Sequence, residues 1–127
     1  VKQAIQDVAD FHRACGVPIL LTPHFPEDDR IELRINIMDE EFNKELLPAI
    51  NRRDMIATAD GIADAIYVLV GTALEFGIPL EWVWDAVQAA NMAKVDPVTG
   101  LVRRRADGKV LKPDGWQPPD IEKVLYG

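Results

Sequence analysis

The chain has one cysteine, Cys15, and two histidines, His12 and His24. A lone cysteine permits no internal disulfide and fits a cytoplasmic protein. We read it as a small buried residue near a helix end. Neither histidine stands at zinc-ligand spacing with it, so a zinc site is not expected. No phosphate-binding glycine loop or dinucleotide pattern is present, and no Ser-His-Asp arrangement can be argued. The longest strongly apolar run, Ile62 to Leu74, is interrupted by Asp64 and is too short to span a bilayer. No signal-peptide pattern opens the chain, so no membrane partner is expected. Bases are scarce, 14 Lys and Arg against 21 Asp and Glu, for a formal net charge of −7. That balance disfavours a nucleic-acid partner held by overall charge.

What is present suits one soluble domain over residues 1–127, with 48% hydrophobic and 28% charged residues. Ile5, Val8 and Phe11/His12 recur at helical spacing before Gly16, which predicts a helix over 2–14. Three prolines make 17–29 a loop, and Pro26 with Glu27, Asp28 and Asp29 resembles a helix first turn. Ile31, Ile35, Met38, Phe42 and Leu46 form one apolar stripe, so a second helix should run from about 27 to 47, with Pro48 near its end. Asp54 caps a third helix over 55–76, closed by Gly77 and apolar nearly all round, hence the central buried helix. Pro79 opens a fourth over 79–94, with Leu80, Val83, Trp84, Val87 and Ala90 inward. Trp82, Trp84 and Trp116 read as packing residues.

The remainder differs. Lys94 to Lys112 holds six bases against Asp96 and Asp107, a segment of +4 in an acidic chain. Asp107-Gly108 signals a hairpin between two short strands, and Asp120 can cap a last helical turn. The fold class expected is all-α. It is an antiparallel bundle of four to five helices over about 2–94, followed by an irregular basic C-terminal arm with a short hairpin.

Asp39, Glu40, Glu41 and Glu45 crowd into seven positions of the second helix. At about 100° per residue, Glu41 and Glu45 share a face beside the buried stripe, with Arg34 next to them, whereas Glu40 and Asp39 point elsewhere. The third helix carries its own i, i+4 pair, Asp60 and Asp64. A short connection makes the two helices antiparallel neighbours. Their levels then match, placing Glu45 opposite Asp60 and Glu41 opposite Asp64. Taken singly, each acid reads more simply as a solvated charge, one of them paired by Arg34. Four converging carboxylates instead demand a cation or bound protons, and Mg²⁺ is the natural candidate for hard oxygen donors. Near the end of the fourth helix Asn91 and Lys94 share a face; Arg103 and Arg105 alternate with Arg104 on the strand. These could grip phosphates, or simply complement a helix dipole and face solvent.

The stretches "LRINIMDEEFNKEL", "IADAIYVLVGTALEFGIPL", "NMAKVDP" and "DGKVLKPDGWQPPDI" resemble the MazG-like all-α nucleoside triphosphate pyrophosphohydrolases. That superfamily also contains dimeric dUTPases and phosphoribosyl-ATP pyrophosphohydrolase. The resemblance spans roughly residues 30–125. It implies Mg²⁺ or Mn²⁺ held between an E-x-x-E helix and an E-x-x-D helix, with cleavage between the α and β phosphates to a monophosphate and pyrophosphate. By position, Glu41 and Asp64 match metal ligands, with Glu45 and Asp60 as the nearest acids to the other two. Glu40 matches an acid that orients or deprotonates water, so Glu40 and Glu41 are the implied catalytic residues. Asn91 and Lys94 match the phosphate-binding N-x-x-K, with Lys112 on the arm beside them. A homodimer or dimer of dimers is implied, with a nucleotide as substrate. The sequence departs from the motif at 44 and 61, where Lys44 and Gly61 replace expected acids. A local helix distortion or a shifted metal would restore the site. Otherwise the chain is a non-catalytic oligomerisation or nucleotide-sensing module that kept the fold.

Overall fold

The computed structural model describes residues 1–127 and is all-α, with five helical stretches and no strand. Its contacts divide the chain into two compact units, Val1–Leu80 and Glu81–Gly127.

In the first unit, α1 (Lys2–Cys15) ends at Gly16, whose φ of 69° supplies the left-handed turn that glycine adopts without a Cβ clash. Val8, Ala9 and His12 are its buried face. Cys15 is exposed rather than buried, in the last turn of the helix. The loop that follows is tied to the end of α4 (Met55–Glu75): Leu20 N–H donates to the Leu74 carbonyl at 2.9 Å and His24 N–H to that of Phe76 at 3.0 Å. Gly77 makes this approach possible. Its φ is 68°, and a Cβ there would stand 2.0 Å from the Thr22 carbonyl oxygen.

The second helical stretch starts at α2 (Asp28–Asp39), with Asp28 and Asp29 in its first turn as the helix dipole favours. It continues without a break through a π-helical segment (Glu40–Leu46) into α3 (Leu47–Asn51). It therefore passes Pro48 and ends four residues beyond the predicted boundary. A proline inside an α-helix loses one hydrogen bond and crowds the carbonyl four residues back. Here Pro48 stands in the first turn of α3, directly after the widened turn, where that donor is not required.

Asp54 caps α4 as its side chain predicts, with Oδ1 accepting from Ala57 N–H at 3.0 Å. Gly61, Ala65, Val70, Gly71 and Ala73 are buried against α1 and the second stretch. However, α4 is not the fully buried centre expected of it. Ile62, Ile66 and Leu69 are 46%, 50% and 56% exposed, because two neighbouring helices cannot cover a helix that is apolar all round. By length and composition α4 could cross a bilayer. Glu75 argues for packing against protein instead.

Glu75 is 1% exposed and anchors the unit. Arg30 grips it through two N–H groups, Nε at 3.2 Å, and an Arg34 amino nitrogen lies 3.7 Å away. Arg34 also donates from Nε to Thr72 Oγ1 at 3.1 Å and to the Val68 carbonyl at 2.7 Å. His12 is buried beside it, and burial together with the Arg34 charge lowers its pKa, which keeps the ring neutral. Gly71 leaves room for both: a Cβ there would lie 2.7 Å from Arg34 and 2.8 Å from His12.

In the second unit, α5 (Leu80–Met92) buries Ala90. Trp82, Trp84 and Val87 are exposed, contrary to the inward packing expected, since within this unit the arm meets α5 near its C-terminal end: Trp116 Nε1–H donates to the Ala90 carbonyl at 2.7 Å. The expected hairpin is reduced to two isolated antiparallel bridges, Val95 with Val102 and Arg104 with Val110. Gly108 takes the predicted turn, and Arg105 pairs with Asp107 at 2.6 Å rather than extending a ladder. Asp120 caps α6 (Ile121–Tyr126) by accepting from Lys123 N–H at 3.0 Å.

Removing one member of the buried ion cluster leaves the other charge without a partner. Glu75→Gln should therefore lower unfolding stability by about 3 kcal/mol in urea titrations. Gly71→Ala should also destabilise the chain, despite its higher helix propensity.

Candidate metal centre

The π segment faces α4 where that helix carries its acids. Glu40 N–H still bonds four residues back, to Asn36, whereas Leu47 N–H reaches five back, to the Phe42 carbonyl. The turn between them holds one residue more than an α turn. Across from it, Ala65 and Gly61 let the helices approach closely.

Glu41, Glu45 and Asp64 come together here, each offering one carboxylate oxygen within 4.8 Å of the others. Glu41 and Asp64 are half-buried and Glu45 is exposed. Asp60 is exposed and outside this triad. It lines an adjoining cleft of about 250 Å³ with Lys44, Glu45, Arg52, Ala57 and Gly61. The pairing expected of Glu45 with Asp60 thus appears as a shared cleft wall. Glu40 is exposed beside Glu41.

No base pairs with any of these acids. The expected Arg34 partner is committed to Glu75, and Lys44 turns to Asp39, with Nζ 3.6 Å from Oδ2. Glu41 Oε2 is buried with no hydrogen-bond partner. Burial, followed by the proximity of Glu45, Asp64 and Glu40, pushes the Glu41 carboxyl up to about 7. The arrangement is consistent with a metal site: its donors are carboxylate oxygens, and its repulsion calls for a cation.

Asn91, Lys94 and Lys112 lie in the second unit and cluster around one ring. Lys94 Nζ bonds Asn91 Oδ1 at 3.1 Å, and the Lys94 and Lys112 ammonium groups stand 5.2 and 4.8 Å from the centre of the Trp116 ring. Trp116 is the organiser that sequence reasoning treated as packing. Its place beside a Lys-Pro-Asp-Gly arm was the available signal.

Because the folded-state pKa of Glu41 is raised, its carboxyl favours folding when protonated. That contribution is complete below pH 4.5 and is lost as pH rises through about 7. In EDTA, the gain in unfolding stability from Glu41→Gln should be larger at pH 8 than at pH 5.5. The difference should be on the order of 1–2 kcal/mol after solvent screening.

Comparisons with known proteins bear on the family and the fold. The model of the family described as phosphoribosyl-ATP pyrophosphohydrolase matches residues 8–91. A crystal structure described as "a putative NTP pyrophosphohydrolase" from Exiguobacterium sp. 255-15 superposes with a TM-score of 0.53 at 27% identity, covering 96% of this chain and 93% of that one. No curated protein is significantly similar in sequence. The matched span runs from the middle of α1 to the last turn of α5 and contains the acid triad, and the chain belongs to the phosphoribosyl-ATP pyrophosphohydrolase (MazG-like) family.

Proposed function

We propose that the chain hydrolyses a nucleoside triphosphate between its α and β phosphates, with Mg²⁺ at the triad. The observation that carries this reading is Glu41, which has a buried, unpartnered oxygen and lies together with two further acids, none of them paired with a base. Three carboxylates are hard donors of the kind Mg²⁺ prefers and Mn²⁺ accepts. When bound, the ion neutralises phosphate charge and lowers the pKa of water.

Glu41, Glu45 and Asp64 would hold the ion, and Asp60 extends the acidic wall beside them. Glu40, exposed next to Glu41, orients the attacking water and takes its proton. The water oxygen bonds to phosphorus as the bond to the bridging oxygen breaks. The leaving oxygen keeps the electron pair, which gives a monophosphate and pyrophosphate. Asn91, Lys94 and Lys112 contribute charge-assisted donors for substrate phosphates. Lys44 and Gly61 favour a non-catalytic module; Glu41 and Glu45, which still lie together with Asp64, support the catalytic reading.

The open stripe Ile62, Ile66 and Leu69 on α4 supports a homodimer, since apolar helix faces of this kind are covered in stable proteins. Neither nucleic acid nor membrane is required as a partner.

Purified protein should release pyrophosphate from members of an NTP and dNTP panel with Mg²⁺. Asp64→Asn and Glu41→Gln should lower kcat by about 100-fold or more, and Lys94→Ala should chiefly raise KM. Absence of turnover with both Mg²⁺ and Mn²⁺ would refute the reading. Sedimentation should give at least twice the 14.2 kDa chain mass, with Ile66→Glu shifting it to a monomer.

A further inference from the structure

The π turn and the two motif departures share a location. Lys44 lies inside the widened turn, and Leu46, its last residue, packs on Gly61. In an α-helix an i, i+4 pair overshoots alignment by about 40°. A turn closed by i→i+5 bonds advances less per residue, so that overshoot is lost and Glu45 swings back beside Glu41. The same swelling carries Leu46 onto α4. A Cβ on residue 61 would stand 3.2 Å from both Leu46 Cα and Leu46 Cδ1, so the acid expected there fits only if Leu46 gives way by a few tenths of an ångström. Lys44 meanwhile pairs with Asp39 and lines the adjoining cleft, outside the acid triad. The helix on either side keeps its faces: Arg34 on Glu75 before the turn, Leu46 and Ala49 buried after it.

We propose that Lys44 is a one-residue insertion absorbed by the π turn, and that the turn places Glu45 as the ligand which an acid at position 44 would otherwise supply, with Gly61 as its steric consequence. Without Lys44 the segment reads Glu-Phe-Asn-Glu, two acids three apart, which a plain α-helix aligns. One cause then accounts for both departures. The ligand role of Glu45 rests on the metal-dependent reading, whereas the insertion itself does not.

Two measurements on the full chain separate these parts. The first is Mn²⁺ binding, followed by the electron paramagnetic resonance of the free ion. Glu45→Gln should weaken it about 10- to 100-fold. Deletion of Lys44 should leave it within about tenfold of wild type. Lys44→Glu should not rescue Glu45→Gln, because residue 44 lies on the cleft wall outside the triad. The second uses no metal: Gly61→Ala should raise the thermal midpoint more, or lower it less, in the Lys44-deleted chain than in the full one, by several degrees. The helix-propensity gain is common to both backgrounds and cancels.

Wild-type binding that Glu45→Gln leaves intact overturns the ligand role alone. No Mn²⁺ binding by wild type overturns both that role and the hydrolase reading, while the Gly61 comparison still decides the insertion. Equal Gly61→Ala effects in the two backgrounds, or a deletion that unfolds the chain, overturn the insertion.

Discussion

The buried charge of Glu75 is the constraint from which the first unit is organised. Its carboxylate sits at 1% exposure, where an unpaired charge would be costly, and Arg30 and Arg34 answer it from α2. That pairing fixes the register of the second helical stretch against α4. It also removes Arg34 from competition for the acids further along. Glycine at 71 is what lets the guanidinium and His12 share the space. An acid cluster with no base paired to it is therefore a by-product of how the helices are locked together.

The site follows from that lock. With register set at Glu75, Glu41 and Asp64 meet across the helix pair, and the π turn decides which further acid joins them. Helical widening is a known device at functional sites because it re-aims a side chain without moving the flanking turns. Here it also makes Pro48 tolerable, since the proline restarts an α segment instead of interrupting one. The raised Glu41 pKa and its orphaned oxygen are two expressions of one condition: carboxylates held close with nothing positive between them.

Much of this was legible before any coordinates. Asp54, Gly16, Gly77 and Asp120 marked element ends because capping is local chemistry, and each behaves as its side chain predicts. Glu41 facing Asp64 was legible too, from antiparallel packing and a short connection. Other features were hidden. A wheel drawn at a uniform 100° cannot show a π turn. Nothing in the local sequence marks Glu75 as buried, since its burial depends on two arginines more than forty residues away. The outward tryptophans of α5 and the exposed α4 stripe misled for a single reason: apolar pattern says that a face seeks cover, not which element supplies it.

The sequence by itself determined the helices, their caps, the acidic pairing of two neighbouring helices and the family they resemble, because these rest on spacing and local hydrogen bonding. Tertiary structure decided the rest. It gave Arg34 to Glu75 instead of the acids, brought Glu45 together with Glu41 and Asp64, left Asp60 on an adjoining cleft and gathered Asn91, Lys94 and Lys112 around Trp116. Each of those outcomes depends on distances between residues far apart in the chain, which periodicity does not encode.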